Sequence, residues 1–142
     1  VASRGRGDVY KRQAAMRLVY ESDIVHRSPI DLLDRRGHEL RTDEETLAYV
    51  RSLVRYVADN RDELDISIGT IAPTWPVDQM PRLDVAILRI AISEIDGGDV
   101  PDAVVVNEAV ELAKRYCSAG SARMINGALG SYVRNRTVSA GS

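Results

Sequence analysis

The sequence predicts an all-α protein, a compact bundle of six or seven helices, and three observations carry that expectation. Apolar residues recur at spacings of three and four along most of the chain. Cap and breaker residues, among them Ser28-Pro29, Thr42, Asn60 and Gly97-Gly98, divide those runs into helix-sized pieces. The one β-prone run, Val104 to Val106, has no second strand to pair with.

The opening VASRGRGDVYKRQ has no initiator methionine, is interrupted by Gly5 and Gly7, and resembles a terminal string that recurs in assembled sequence data. Residues 1–11 are therefore expected to be a non-native or disordered leader. The first helix is expected from Arg12 to about His26, with Ala15, Leu18, Val19 and Ser22 on one stripe and Arg12, Arg17 and Glu21 on the other side. Ser28 as N-cap, Pro29 at the first helical position and Gly37 as the stop frame a short second helix that buries Ile30, Leu32 and Leu33. Thr42 and Glu45 form a capping-box pattern ahead of Leu47, Val50, Leu53, Val54 and Val57, the most regular amphipathic run in the chain.

Asn60 and Glu63 repeat that pattern before Leu64, Ile68 and Ile71, and Pro73 ends the fourth helix. PTWPVDQMP reads as a loop with Trp75 as its anchor. From Pro81 to about Asp96 most faces are apolar, so this fifth helix is expected at the centre, with Gly97 and Gly98 as its stop. The valine run is read as helix after Pro101, continuing through Ala109, Leu112, Ala113 and Tyr116. Asn126-Gly127 lacks the alternating flanks of a hairpin, and Met124, Ile125, Ala128, Leu129, Tyr132 and Val133 fit a last helix capped by Ser121. Residues 12–136 are thus expected to form one domain, followed by a flexible tail over 137–142.

Composition narrows the function. Hydrophobic residues make up 44% and charged residues 28% of the 142, within the globular range. No apolar run is long enough to span a membrane and no signal-peptide core follows the basic start, so a cytoplasmic location is expected. Cys117 is alone and only His26 and His38 accompany it, which argues against a disulfide, a structural metal or a bound cofactor. A net charge of −2 disfavours a protein that coats nucleic acid by bulk charge but permits a local basic patch.

Glu108 and Glu111 share a helix face, yet no histidine, cofactor loop or nucleophile set accompanies them, so they read as a solvated face and no catalytic residue is assigned. Gly127 and Gly130 each cost about 1 kcal/mol of helix propensity, which a close backbone approach would explain. Asn126 is placed to bond across to another helix. Two basic elements have the composition to meet around phosphate: Lys11, Arg12 and Arg17 on the first helix, and Arg123 in the SAGSAR connection. Tyr20 supplies a ring for stacking on an unpaired base. Spacing alone does not separate this arrangement from ordinary solvated arginines.

Four segments now decide the reading: RQAAMRLVYESD at 12–23, LDVAILRIAISEI at 83–95, DVPDAVVVNEAVELAKRY at 99–116 and INGALG at 125–130. In order and spacing they resemble the NusB family of bacterial transcription antitermination factors. The resemblance implies an all-α fold of two helical subdomains and a non-catalytic role. Its members pair with ribosomal protein NusE, bind the single-stranded boxA element of nascent ribosomal RNA leaders and help load an antitermination complex on RNA polymerase. Some also form homodimers.

By position, the resemblance implies RNA contacts at Lys11 and Arg12, the end of an arginine-rich arm, and at Tyr20, Arg123 and Met124. It implies NusE contacts at Asp84 and Asp78. Three departures bear on affinity. GRGDVY replaces the arginine cluster, Gly120 stands where many members carry an acidic residue that moderates RNA binding, and Met124 replaces a frequent aromatic. Two alternatives share the fold: the RNA-binding fragment of an rRNA methyltransferase, and a purely protein-binding helical adaptor.

Overall fold

The computed structural model describes residues 6–141, with side chains over 9–137. Seven α-helices follow in order: α1 Arg6–Val25, α2 Pro29–Arg36, α3 Glu44–Asp59, α4 Arg61–Ile71, α5 Arg82–Gly97, α6 Asp102–Tyr116 and α7 Ala119–Gly141. Single 3₁₀ turns at Gly37–Glu39 and Val77–Gln79 follow α2 and α4, and there is no strand among the described residues. The all-α expectation is met. α1, α2 and α3 pack on one another, α4 and α6 both pack on α7, and α5 packs on α1, α3, α4, α6 and α7. The two helical groups therefore share one central helix.

Burial of α5 is complete from Asp84 to Ile95. Its apolar residues explain the position, since a helix that is apolar all round has no face to give to water. Three charged residues nevertheless sit in this segment, at Asp84, Arg89 and Glu94. Five-residue steps turn a helix by about 140°, so the three side chains leave the axis in different directions. Arg89 meets Asp23 of α1 at 2.9 Å and Asp65 of α4 at 2.9 Å. Glu94 receives a two-pronged guanidinium bond from Arg12 of α1, at 2.7 and 3.0 Å, and the hydroxyl of Tyr49 from α3. At the penultimate residue of the helix, Asp96 accepts from Tyr56 of α3 at 2.8 Å and Tyr132 of α7 at 2.5 Å.

Several local expectations are corrected. α1 starts at Arg6, not Arg12, and runs through Gly7. Tyr10 packs against the core, and that contact outweighs the small propensity cost of a first-turn glycine. Gly37 does stop α2, as expected, and at φ −59° it leads into the 3₁₀ turn. The left-handed stop expected at the end of α5 is present, at Gly98 with φ 76°. Asp43 rather than Thr42 caps α3, accepting from Thr46 N at 2.7 Å, because a carboxylate is the stronger acceptor for a free amide. Asn60 makes no cap bond to α4 and instead closes α3, donating to Tyr56 O at 2.9 Å. Ser118 takes the capping bond expected of Ser121, accepting from Ser121 N at 3.0 Å. α7 continues past Thr137 to Gly141, where a flexible tail was expected.

Trp75 is 55% exposed and anchors nothing in the core. Gly127 and Asn126 are also exposed, and nothing lies within 4 Å of a Cβ built on Gly127, so neither mediates a close helix approach.

Burial and the Glu94 partner act in opposite directions on Arg12, and the bond and charge of Glu94 prevail, raising its pKa and keeping it charged. Arg12→Leu leaves Glu94 buried without its cation and is expected to lower the unfolding free energy by about 3–5 kcal/mol in urea denaturation. Replacing both residues by leucine should recover much of that loss. A single-variant loss below about 1 kcal/mol would place the pair in the range of surface ion pairs and contradict this account.

The Asp96 cluster makes a pH prediction. Burial, then the Asp96 bond, raises the Tyr56 hydroxyl to about 12, and the same causes act upward on Tyr132. Burial and Glu94 raise Tyr49. An unfolded tyrosine releases its proton near roughly pH 10, so the folded state holds these protons more tightly. The stability they contribute is present below that pH and is lost as pH rises toward 12. Denaturation midpoints should fall over this interval, and Tyr56→Phe should make the fall shallower.

Candidate nucleic-acid interface

Exposed basic residues of α1 and of the end of α6 come together at Tyr116, just before the start of α7. Arg17 projects from α1 to place its guanidinium carbon 5.9 Å from the Tyr116 ring centre, and Arg115 lies 5.8 Å from the same ring. Tyr116 is thus an aromatic side chain with two guanidinium neighbours, contacts of the cation–π kind. Lys114 and Arg115 are exposed in the last turn of α6, and Arg123 is exposed in the first turns of α7. The intervening turn is held by Ser118, so the exposed Gly120 and the free amides of the helix start have a fixed position.

Beside this surface runs a groove of about 430 Å³, bounded by Trp75, Gln79, Met80, Pro81, Gly120, Ser121 and Met124 and with Asp84 at its base. It brings together three sequence-predicted residues, Asp84, Gly120 and Met124. Asp84 is buried, 3% exposed, and its Oδ2 accepts from Ser121 Oγ at 2.7 Å. Its Oδ1 is buried without a hydrogen-bond partner. A partner-facing position on the open surface is corrected for Asp84, because α5 is enclosed by its neighbours; access to it runs through the groove.

A sequence profile of the NusB family matches residues 10–134. The chain belongs to the NusB family. Transcription antitermination protein NusB of Symbiobacterium thermophilum is 46% identical over 140 residues, covering 92% of this chain and 92% of the relative. The protein of that name from Roseiflexus sp. strain RS-1 is 42% identical over 125 residues, covering 86% of this chain and 88% of the relative. Among solved structures, NusB of T. maritima superposes with a TM-score of 0.80 at 24% identity, covering 87% of each chain. A chain from the crystal structure of antitermination factors NusB and NusE in complex with dsRNA superposes with a TM-score of 0.79 at 20% identity, covering 89% of this chain and 96% of the other. At these identities the superpositions establish the fold.

Within the NusB fold, the other sequence-predicted residues scatter. Arg12 is 4% exposed with its fork on Glu94, so the expectation that it faces RNA is corrected: the core carboxylate needs the cation more than the surface does. The Lys11 ammonium sits 4.0 Å from the Tyr49 ring centre, toward α3. Tyr20 is half-buried and packs against the core. Asp78 is exposed in the 3₁₀ turn before α5, beside a separate cleft with Arg61, Asp65 and Arg82. No group of three or more metal-ligating side chains occurs among the described residues, and no helix there is long and apolar enough to cross a membrane. The sequence reading did not single out Tyr116 and Arg115 as site residues. Tyr116 meets Arg17 across 99 positions of chain, and no local pattern signals such a pairing.

Cys117 lies at the end of α6 next to this groove. Burial, then the Asp84 carboxylate, pushes its thiol up to about 12. At pH 8 its alkylation by iodoacetamide should be more than about a hundredfold slower than that of an unperturbed thiol, since the thiolate reacts. Asp84→Asn should accelerate it severalfold. Equal rates in the two proteins would remove Asp84 from the account.

Proposed function

We propose that this NusB-family protein binds single-stranded boxA-type RNA of nascent ribosomal RNA leaders together with ribosomal protein NusE, and so helps load an antitermination complex on RNA polymerase. The observation that carries the reading is the cluster of exposed Arg17 and Arg115 on the half-buried Tyr116 ring, with exposed Arg123 in the first turns of the following helix α7. Arginines beside an aromatic ring and free helix-start amides suit the phosphates and unpaired bases of a single strand. The antitermination relatives, and the neighbouring structure whose NusB chain is complexed with NusE and RNA, support the same reading.

In this assignment Arg17, Arg115 and Arg123 take phosphates, Tyr116 and Met124 lie against bases, and NusE approaches along the groove over Asp84 with Asp78 at its far side. Tyr20, one turn after Arg17, continues the RNA side of α1, and Lys11, turned toward α3, lies at its edge. Arg12 acts by holding α1 on α5. A homodimer that covers the RNA surface is the regulatory counterpart of this assignment.

Gly120 is the informative position for specificity. A Cβ there would approach only Ser118 Oγ at 3.7 Å and Arg123 Nη2 at 4.0 Å, so a side chain fits. Gly120→Asp sets a carboxylate beside Arg123 and is expected to weaken RNA binding. Fluorescence anisotropy of labelled boxA RNA against a scrambled control, with and without NusE and at two salt concentrations, tests the whole reading. Each of Arg17→Ala and Arg123→Ala should reduce the slope of log K against log salt by about 0.7, the value for one phosphate on a single strand. Absence of selective binding even with NusE, while NusE itself still binds, would leave a protein-binding adaptor.

A further inference from the structure

We infer that the Ser121–Asp84 hydrogen bond is a positioning contact that couples the partner groove to the RNA-facing start of α7. The inference rests on the proposed function, which places NusE over Asp84 and RNA at Gly120, Arg123 and Met124. Ser121 Oγ donates to Asp84 Oδ2 at 2.7 Å and accepts from Ser118 Oγ at 3.1 Å. Ser118 Oγ in turn accepts from Ser121 N at 3.0 Å. A chain of two hydroxyls therefore ties the turn that begins α7 to one oxygen of a carboxylate on the central helix.

The second oxygen sets Asp84 apart from the other charges of α5. Arg89 and Glu94 find their partners inside the chain, on Asp23, Asp65, Arg12 and Tyr49. Asp84 Oδ1 is the one buried side-chain polar atom without a hydrogen-bond partner among the described residues. An unsatisfied buried acceptor carries a desolvation cost that an incoming donor relieves. Oδ1 has no surface open to solvent, and the Cys117 thiol faces the same carboxylate. A protein seated in the groove therefore gives Oδ1 a donor by shifting the carboxylate, which resets the direction of Oδ2. Ser121, Gly120 and Arg123 are then held as one unit. Linkage requires the converse: RNA that orders the start of α7 orients the same carboxylate and favours the partner by the same factor.

The test reads a ratio, the RNA Kd without NusE divided by the RNA Kd with NusE, by anisotropy on the intact chain and on Ser121→Ala and Ser121→Thr. Couplings of this kind are typically about 5- to 150-fold. The ratio should fall toward one in Ser121→Ala and stay near the wild-type value in Ser121→Thr. If Ser121→Ala weakens RNA binding by the same factor with and without NusE, the serine only shapes the turn and the coupling role is overturned. Wild-type protein that binds both ligands with a ratio of one overturns the inference alone. Wild-type protein that binds neither overturns the proposed function, and the inference with it.

Discussion

The structure depends on a helix buried on every side that still carries charge. α5 has no solvent face from Asp84 to Ile95, yet Asp84, Arg89 and Glu94 lie within it. A buried charge is tolerable only when paired and hydrogen-bonded. Each of the three must draw a partner from a surrounding helix, and because they point in different directions the partners come from α1, α3, α4 and α7. Apolar packing places α5 at the centre. The charges determine which residues of each neighbour lie against it, and at which height.

That requirement also sorts the arginines of α1. Arg12 is drawn inward to Glu94, and Asp23, near the other end of the helix, is drawn to Arg89. With both ends anchored, α1 cannot rotate about its axis, and Arg17, five residues after Arg12, emerges on the outer surface beside Tyr116. The buried pair thereby positions an exposed group it never touches. Arg61 and Arg82 close around Asp23 at 2.8 and 3.5 Å, so the α1–α4–α5 contact is a network of several charges. Networks hold geometry better than isolated surface pairs.

The chain has a net charge of −2, so any positive surface on it is local. Basic residues that serve the core, such as Arg12 and Arg89, are withdrawn from the surface, while Arg17 and Arg115 remain exposed on either side of Tyr116, where α1 faces the end of α6. The groove over Asp84 adjoins this surface and shares Gly120, Ser121 and Met124 with it. The turn they share is fixed by Ser118 at the start of α7 and by Asp84 from α5, and the proposed function puts protein on one side of it and RNA on the other.

Sequence alone determined the helical class, the central place of α5, its glycine stop and the helical state of the valine run after Pro101, because these follow from local period and from residues with restricted backbone preferences. The motifs of 83–95, 99–116 and 125–130 were also sufficient to recognise the family. Tertiary structure decided the rest. Whether Arg12 was a surface cation or a core one turned on Glu94, 82 positions away, and whether Asp84 faced a partner openly turned on the enclosure of α5 and on Ser121. Cap positions shifted by a residue or more to Asp43 and Ser118, and Asn60 kept its place before α4 while its side chain turned back to α3. A residue's period tells which way it points along its own helix. What stands opposite is set by the packing of other helices, and for a charged side chain that opposite group decides between core and site.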